Sequence, residues 1–251
     1  MLRSLVGSEM CIRDRAKAPL DACKLPGEFA ALPLFELLHG QIDFAESLGI
    51  RLDRLEVKAL DCAPRERDFI EAMQRFHQHF NALLQGQGLI SFNGAFAQLS
   101  ERLSSDGGKS GPALLALSHL LIDEFQDISP QIVLWLQAVH RRLHAAGERI
   151  SLMAIGDDWQ SIYGWRGSSP ELFIDFDRHF PSRGRSKSST LLLGTNYRSI
   201  EPVIRDGEKV LAEVHSKQAK TCIAAKAMQP GDHGVKPVSY THLRAHETPE
   251  H

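Results

Sequence analysis

The chain has 251 residues, of which 43% are hydrophobic and 24% are charged, and its formal net charge at pH 7 is −2. This composition supports a globular core and excludes a disordered tail, a collagen and a disulfide-rich miniprotein. No apolar run approaches the roughly 18–20 residues that span a bilayer, so we expect no membrane segment. A charge this close to zero does not indicate nucleic-acid binding, although it leaves room for a local basic groove.

The cysteines show no paired spacing along the chain. They are Cys11, Cys23, Cys62 and Cys222. We therefore expect neither a zinc site nor a disulfide framework, and a reduced, cytoplasmic setting.

Both ends of the chain, residues 1–15 and residues 238–251, resemble translated sequencing-library adaptor. Such segments are set aside before the fold is considered. We expect residues 16–237 to derive from the gene, and the chain to be an interior piece of a longer protein.

The clearest element in the first half is an amphipathic helix over 65–85. Apolar side chains recur there at steps of three and four residues, which places them on one helix face. These residues are Phe69, Met73, Phe76, Phe80 and Leu84. The proline-containing stretch 16–60 predicts short helices, and the serine- and glycine-rich stretch 104–111 predicts a loop.

The second half alternates short apolar runs with amphipathic segments. Strands are predicted at 117–122, 149–155 and 190–193. Helices are predicted to begin at Ser129-Pro130, at Ser169-Pro170 and at Ser199, because serine caps a helix and proline suits its first turn. This alternation predicts an α/β fold with a mainly parallel sheet, in which ligands gather beyond the carboxyl ends of the strands.

Two adjacent carboxylates follow the first of these strands, in the run Leu120-Leu-Ile-Asp-Glu-Phe-Gln-Asp127. At this position Asp123 is suited to hold Mg²⁺, directly or through water. Glu124 is suited to orient and deprotonate a water that attacks a γ-phosphate. On these residues alone, a solvated acidic loop after a core strand is the alternative.

A second run, Ala154-Ile-Gly-Asp-Asp-Trp-Gln-Ser-Ile-Tyr-Gly-Trp-Arg-Gly167, follows the next strand. Its Gln160 offers an amide to a phosphate oxygen or to the attacking water. Tyr163, Trp165 and Arg166 bring two aromatic rings and a guanidinium together, a combination that stacks on unpaired bases and contacts phosphate. The alternative is a pair of aromatic side chains packed in the core.

Together with Asn196-Tyr-Arg-Ser199, these two runs resemble motifs II, III and IV of the UvrD/Rep-type superfamily 1 DNA helicases, in the same order and spacing. The stretch Gly88-Leu-Ile-Ser-Phe-Asn93 is similar to the segment that leads into the ATPase lobe of that family, with fewer acidic residues. The resemblance covers 117–215 and extends, more weakly, back to position 65. It implies an incomplete RecA-like P-loop NTPase lobe, an α/β fold with flanking helices, preceded by a helical subdomain.

The resemblance also implies a domain organisation and an activity. Residues 16–88 would be a piece of the helical subdomain, 89–188 the second half of the first RecA-like lobe, and 189–237 the start of the second lobe. The activity would be that of an ATP-dependent 3′-to-5′ DNA helicase, which uses ATP and Mg²⁺ and moves along single-stranded DNA.

Roles for individual residues follow from the same resemblance. Asp123 would be the Mg²⁺ carboxylate, Glu124 the catalytic base and Gln160 the sensor of the γ-phosphate. Arg198 would reach across the cleft between the two lobes as an arginine finger, a task that suits its permanent charge and planar fork. The residues that face single-stranded DNA would be Tyr163, Trp165 and Arg166.

The sequence departs from the family at the phosphate-binding loop. The candidate segment, Asp106-Gly-Gly-Lys-Ser110, does not fit the pattern because Leu103 stands where the first glycine is required. We interpret Lys109 as an ordinary loop lysine. Since the later motifs of the second lobe are also missing, we expect this chain by itself to be inactive as an ATPase.

Two other functions remain open at this stage. One is a subunit of a recombination-type helicase–nuclease, which shares these motifs and carries a distant nuclease domain. The other is a non-catalytic, DNA-binding remnant.

Overall fold

The computed structural model describes residues 22–23, 32–105, 111–148, 150–181, 188–214 and 217–236. The chain divides into two compact units, with the boundary between Pro181 and Ser182. The two adaptor-like ends and the candidate phosphate loop at 106–110 lie outside the described residues. Within the described ranges, no helix is long and apolar enough to cross a membrane.

The first unit begins with three longer helices, the first two of which share one core. A two-residue antiparallel pair, β1 (Ala22–Cys23) and β2 (Leu32–Pro33), precedes α1 (Leu34–Ser47), α2 (Pro64–Gly86) and α3 (Phe92–Ser104). The helix predicted over 65–85 is confirmed as α2, and its apolar face packs on α1. The buried side chains of this core are Leu38, Ile42, Ala45, Leu52, Met73 and Phe76.

Helix α1 ends in a Schellman motif. Gly49 adopts a φ of +81°, its N–H donates to the carbonyl of Glu46 at 2.9 Å, and the N–H of Ile50 donates to the carbonyl of Ala45 at 3.0 Å. Both bonds satisfy carbonyls that the helix leaves without partners. The end of α1 is therefore a defined turn with satisfied backbone groups.

The rest of the first unit is α/β. A short helix α4 (Pro112–Leu115) leads to β3 (His119–Ile122), α5 (Pro130–Ala145), β4 (Ser151–Ala154), α6 (Glu171–Ile174) and α7 (Phe176–His179). Strands β3 and β4 are parallel neighbours with Leu120 opposite Leu152, which confirms the predicted α/β class. The core beside them contains Phe125, Val133, Leu136, Leu172 and Phe180. The single helix predicted after Ser169-Pro170 is divided into α6 and α7.

In the second unit, β5 (Thr195–Ile200) pairs in parallel with β6 (Ile223–Lys226), and α8 (Glu201–Val210) follows β5. The strand predicted at 190–193 is wrong, because these residues have no regular structure and their leucines are exposed. The strand forms instead in the more polar segment that begins at Thr195, because this segment pairs with β6. Hydrophobicity alone did not predict this pairing. The N-cap of helix α8 is Ile200, one residue after Ser199, which was predicted to cap this helix.

Candidate functional site

The two predicted acidic residues lie at the carboxyl end of β3. The sheet continues one step beyond the strands, since Ile155 N–H donates to the carbonyl of Ile122 at 2.8 Å and Phe125 N–H donates to that of Ile155 at 2.9 Å. Asp123 and Glu124 project from this edge and are exposed. Two accessible carboxylates provide the hard oxygen ligands that Mg²⁺ prefers.

Glu124 is held in an unusual backbone conformation. Its φ is 48° and its ψ is 43°, and among the residues that the structure describes it is the one non-glycine residue with a positive φ. Its N–H donates to Oδ1 of Asp123 at 2.9 Å. Such conformations cost roughly 1–3 kcal/mol and concentrate at functional sites. The backbone geometry therefore singles out the predicted catalytic base.

A buried glutamine that sequence reasoning missed joins the two acidic segments. Gln126 is 1% exposed. Its Nε2 donates to Oε2 of Glu124 at 2.7 Å, its Oε1 accepts from the N–H of Asp157 at 3.0 Å, and its carbonyl accepts from Oγ of Ser161 at 3.3 Å. Because glutamine is usually exposed, residue type gave no signal for this role.

The close approach of the two segments depends on Gly156. A Cβ at this position would lie 2.5 Å from Oε1 of Gln126 and 3.3 Å from the backbone nitrogen of Phe125. Any larger residue would push the second segment away from the buried amide. The glycine that follows β4 therefore permits the hydrogen bonds that connect the two runs.

Asp157 orients Gln160, the predicted γ-phosphate sensor. Nε2 of Gln160 donates to Oδ2 of Asp157 at 2.7 Å, and Oδ1 of Asp157 accepts from the N–H of Trp159 at 3.0 Å. Gln160 itself is exposed and ends the 3₁₀ turn Asp158–Gln160. Asp157 is a second residue to which sequence reasoning assigned no role, although it lies between the strand and Gln160.

Asp127 is a carboxylate in an unfavourable environment. Its Oδ1 is buried and has no hydrogen-bond partner. Burial, with a further contribution from the charge of Glu124, raises the pKa of Asp127 above its ordinary value. The site thus contains two different carboxylates: Asp127, whose pKa is raised, and Glu124, which accepts a hydrogen bond from Gln126.

The predicted aromatic cluster forms an accessible platform. Tyr163 precedes the 3₁₀ turn Gly164–Arg166, and Trp165 is 66% exposed. Cζ of Arg166 lies 4.5 Å from the ring centre of Trp165 and 5.4 Å from that of Tyr163. This geometry leaves most of the Trp165 surface accessible, whereas a core aromatic residue would be covered.

Arg198 belongs to the second unit. It is exposed on β5, and its N–H donates to Oδ1 of Asn196 at 2.9 Å. The N–H of Ser199 donates to the same oxygen at 2.8 Å, so Asn196 fixes the backbone on which Arg198 sits. Of the predicted site residues, Asp123, Glu124 and Gln160 are connected within the first unit.

The α/β architecture with parallel strands and carboxylates at a strand end defines an incomplete RecA-like lobe. The model of the UvrD/REP helicase N-terminal domain family matches residues 33–181. The chain belongs to this family.

Curated relatives agree with that assignment. YjcD of Bacillus subtilis is 37% identical over 109 residues, which cover 43% of this chain and 13% of YjcD. DNA helicase IV of Escherichia coli is 30% identical over 148 residues, covering 53% of this chain and 20% of that protein. The ATP-dependent DNA helicase UvrD2 of Mycobacterium tuberculosis is 26% identical over 219 residues, covering 85% of this chain and 29% of UvrD2. The chain thus spans less than a third of each of these relatives.

Proposed function

We propose that this chain is a segment of an ATP-dependent DNA helicase that couples hydrolysis of Mg²⁺-ATP to 3′-to-5′ movement along single-stranded DNA. The observation that carries the proposal is the hydrogen-bonded path from Glu124 through Gln126 to Asp157, with Gln160 held by Asp157. This path links the candidate base to the segment that presents the aromatic platform. The direction of movement is inferred from the family alone.

The chemistry begins with the exposed carboxylates after β3. Asp123 would hold Mg²⁺, which neutralises charge on the phosphates when it is bound. Glu124 would accept a proton from the attacking water, and Gln126 would keep its carboxylate oriented for that transfer. Gln160 would present its amide to the γ-phosphate from the neighbouring turn. Arg198 would act as an arginine finger, a role that its permanent charge and planar fork suit.

Single-stranded DNA would bind at the platform of Tyr163, Trp165 and Arg166. An exposed indole is suited to stack on a base of any sequence, and a guanidinium beside it is suited to contact phosphate. Because Ser161 is hydrogen-bonded to Gln126, a shift at the phosphate site has a short route to this platform. Such a route is what coupling of hydrolysis to movement requires.

The intact helicase that carries this segment provides the test. ATP hydrolysis is measured with and without single-stranded DNA, and unwinding is compared on duplexes with a 3′ or a 5′ single-stranded tail. We expect DNA-stimulated hydrolysis and unwinding of the 3′-tailed duplex. Preference for the 5′ tail would overturn the direction, and binding of DNA without hydrolysis would favour the non-catalytic remnant.

A further inference from the structure

We propose that the C-terminal end of α1 and the turn that follows it, residues 46–49, position the DNA-binding loop at residues 163–167. This inference rests on the proposed function for the role of the loop in DNA binding. The contact itself lies within the first unit and joins its helical part to its α/β part. It would make the helical part a determinant of DNA affinity, although none of its residues was predicted to face DNA.

The contact is made at Gly167, where the loop ends. Gly167 is buried and has a φ of +87°. A Cβ at Gly167 would overlap Oγ of Ser47 and would lie 3.4 Å from Cδ2 of Leu48. The loop therefore rests on the end of α1 at a distance that only glycine allows.

Ser47 is held in place by its own helix. It is 5% exposed, and its Oγ donates to the carbonyl of Phe44 at 2.7 Å. The hydroxyl that faces Gly167 is thus committed to its own helix and has little freedom to move. A buried side chain with a satisfied hydrogen bond makes a rigid support.

The turn is also anchored to the neighbouring helices. Oε1 of Glu46 lies 2.9 Å from Nε2 of His77 on α2, and Oε2 of Glu46 accepts from Oγ of Ser91, the N-cap of α3, at 3.3 Å. Gly49 lies against α5, since a Cβ there would be 2.7 Å from Cδ1 of Leu134. Three helices therefore hold the surface on which the loop rests.

The loop is tethered on both sides. Two residues before it, Oγ of Ser161 donates to the carbonyl of Gln126, and at its end Gly167 rests on Ser47. Between these points Trp165 is exposed. The first tether leads to the phosphate site and the second to the helical part, so the angle of the indole depends on both.

The decisive variant is Gly167→Ala in this chain. Binding of a fluorescent oligothymidylate is followed by anisotropy, and amide hydrogen exchange is followed over residues 163–168. We expect the affinity to fall about fivefold or more, the low end for loss of a stacked base. We also expect faster exchange across the loop, because the added methyl lifts it from the helix end.

The matched control is Gly147→Ala. Gly147 also has a positive φ, +82°, but a Cβ there would meet nothing within 4 Å. This variant carries the same backbone strain without a steric overlap, and we expect it to leave DNA affinity and loop exchange unchanged. If it lowers affinity as much as Gly167→Ala does, general destabilisation explains the result and the proposal is overturned.

The rescue variant is Ser47→Ala combined with Gly167→Ala. Removing the hydroxyl leaves the new methyl 3.4 Å from the nearest atoms, so we expect affinity and slow exchange to return at least in part. If the double variant does not recover DNA affinity, or does not recover slow amide exchange, the proposal is overturned. If the unaltered chain does not bind the oligothymidylate, the DNA role fails, and the exchange data still decide whether α1 supports the loop.

Discussion

Gln126 donates a hydrogen bond from its Nε2 to Oε2 of Glu124 at 2.7 Å. The other end of the same amide accepts from the N–H of Asp157. One buried side chain therefore orients the proposed base and fixes the segment that carries Gln160. Gln126 is therefore a positioning residue in this proposal. A movement of either segment would change its hydrogen bond to the other.

Replacing Gln126 by alanine is expected to damage both stability and catalysis. In this chain the buried side chain of Gln126 loses its hydrogen bonds to Glu124 and to the N–H of Asp157, which costs about 1–3 kcal/mol of unfolding free energy. In the intact helicase we expect DNA-stimulated hydrolysis to fall about tenfold to a hundredfold, because the base is no longer held in place. Denaturant unfolding and steady-state ATPase assays measure the two effects.

The Gln126→Glu variant separates the orienting effect of Gln126 on Glu124 from the effect of its packing. The carboxylate keeps the shape of the amide but replaces the donor that faces Glu124 with a second negative charge. We expect hydrolysis to fall at least as far as in the alanine variant. Wild-type turnover in Gln126→Glu would show that the hydrogen bond to Glu124 has no part in the reaction.

Substitutions of the two carboxylates after β3 should impair ATP hydrolysis in different ways. In the intact helicase, Glu124→Gln keeps the shape but loses the base, so turnover should fall by roughly 10²–10⁴-fold while nucleotide binding persists. Asp123→Ala should instead weaken the binding of Mg²⁺-nucleotide. Nucleotide titration and single-turnover hydrolysis distinguish these outcomes. Retention of more than about a tenth of turnover in Glu124→Gln contradicts its assignment as the base.

The sequence predicted those parts of the site that depend on local patterns. An apolar run followed by Asp123 and Glu124 marks a strand and its carboxyl end, and a period of three to four residues marks α2. The role of Gln126 was not predictable in this way, because its contacts depend on the close approach of Gly156, which follows the neighbouring strand β4. The contact between Ser47 and Gly167 is likewise a long-range packing relationship that leaves no periodicity in the sequence.

Asp127 should give the folded state a characteristic pH dependence. Burial raises the pKa of Asp127, so the native state binds more protons than the unfolded state between the ordinary and the raised pKa. Stability therefore falls as pH rises through that window. We expect Asp127→Asn to raise Tm at pH 7 by about 2 °C or less, and the gain to disappear below the ordinary pKa of an aspartate.

Asp53 provides the opposite case for the same measurement. The hydrogen bond from Arg51 lowers the pKa of Asp53, so this carboxylate contributes stability above the ordinary pKa and loses it as pH falls. Asp53→Asn should leave Tm unchanged or lower it at pH 7. Equal shifts in both variants would show that net charge, and not the burial of Asp127, governs the change.

Trp165 distinguishes a DNA-binding platform from a structural core. The side chain is 66% exposed, so Trp165→Ala should leave the thermal stability of this chain nearly unchanged. If the indole stacks on a base, binding of single-stranded DNA should weaken by roughly 1–3 kcal/mol. In the intact helicase the same variant should lose DNA stimulation of ATP hydrolysis while basal hydrolysis survives. Loss of about 3–5 kcal/mol of stability would instead identify a packing role.

Arg166 adds a charge-dependent component to the same platform. Its guanidinium lies 4.5 Å from the centre of the Trp165 ring, and we propose that it contacts a phosphate of a nucleotide stacked on that ring. Arg166→Ala should lower DNA affinity and reduce the slope of log affinity against log salt by about one phosphate contact. Arg141→Ala, at an exposed arginine on α5, is the control for a general loss of positive charge. An unchanged slope in Arg166→Ala would mean that the guanidinium supports the indole and does not contact the backbone of DNA.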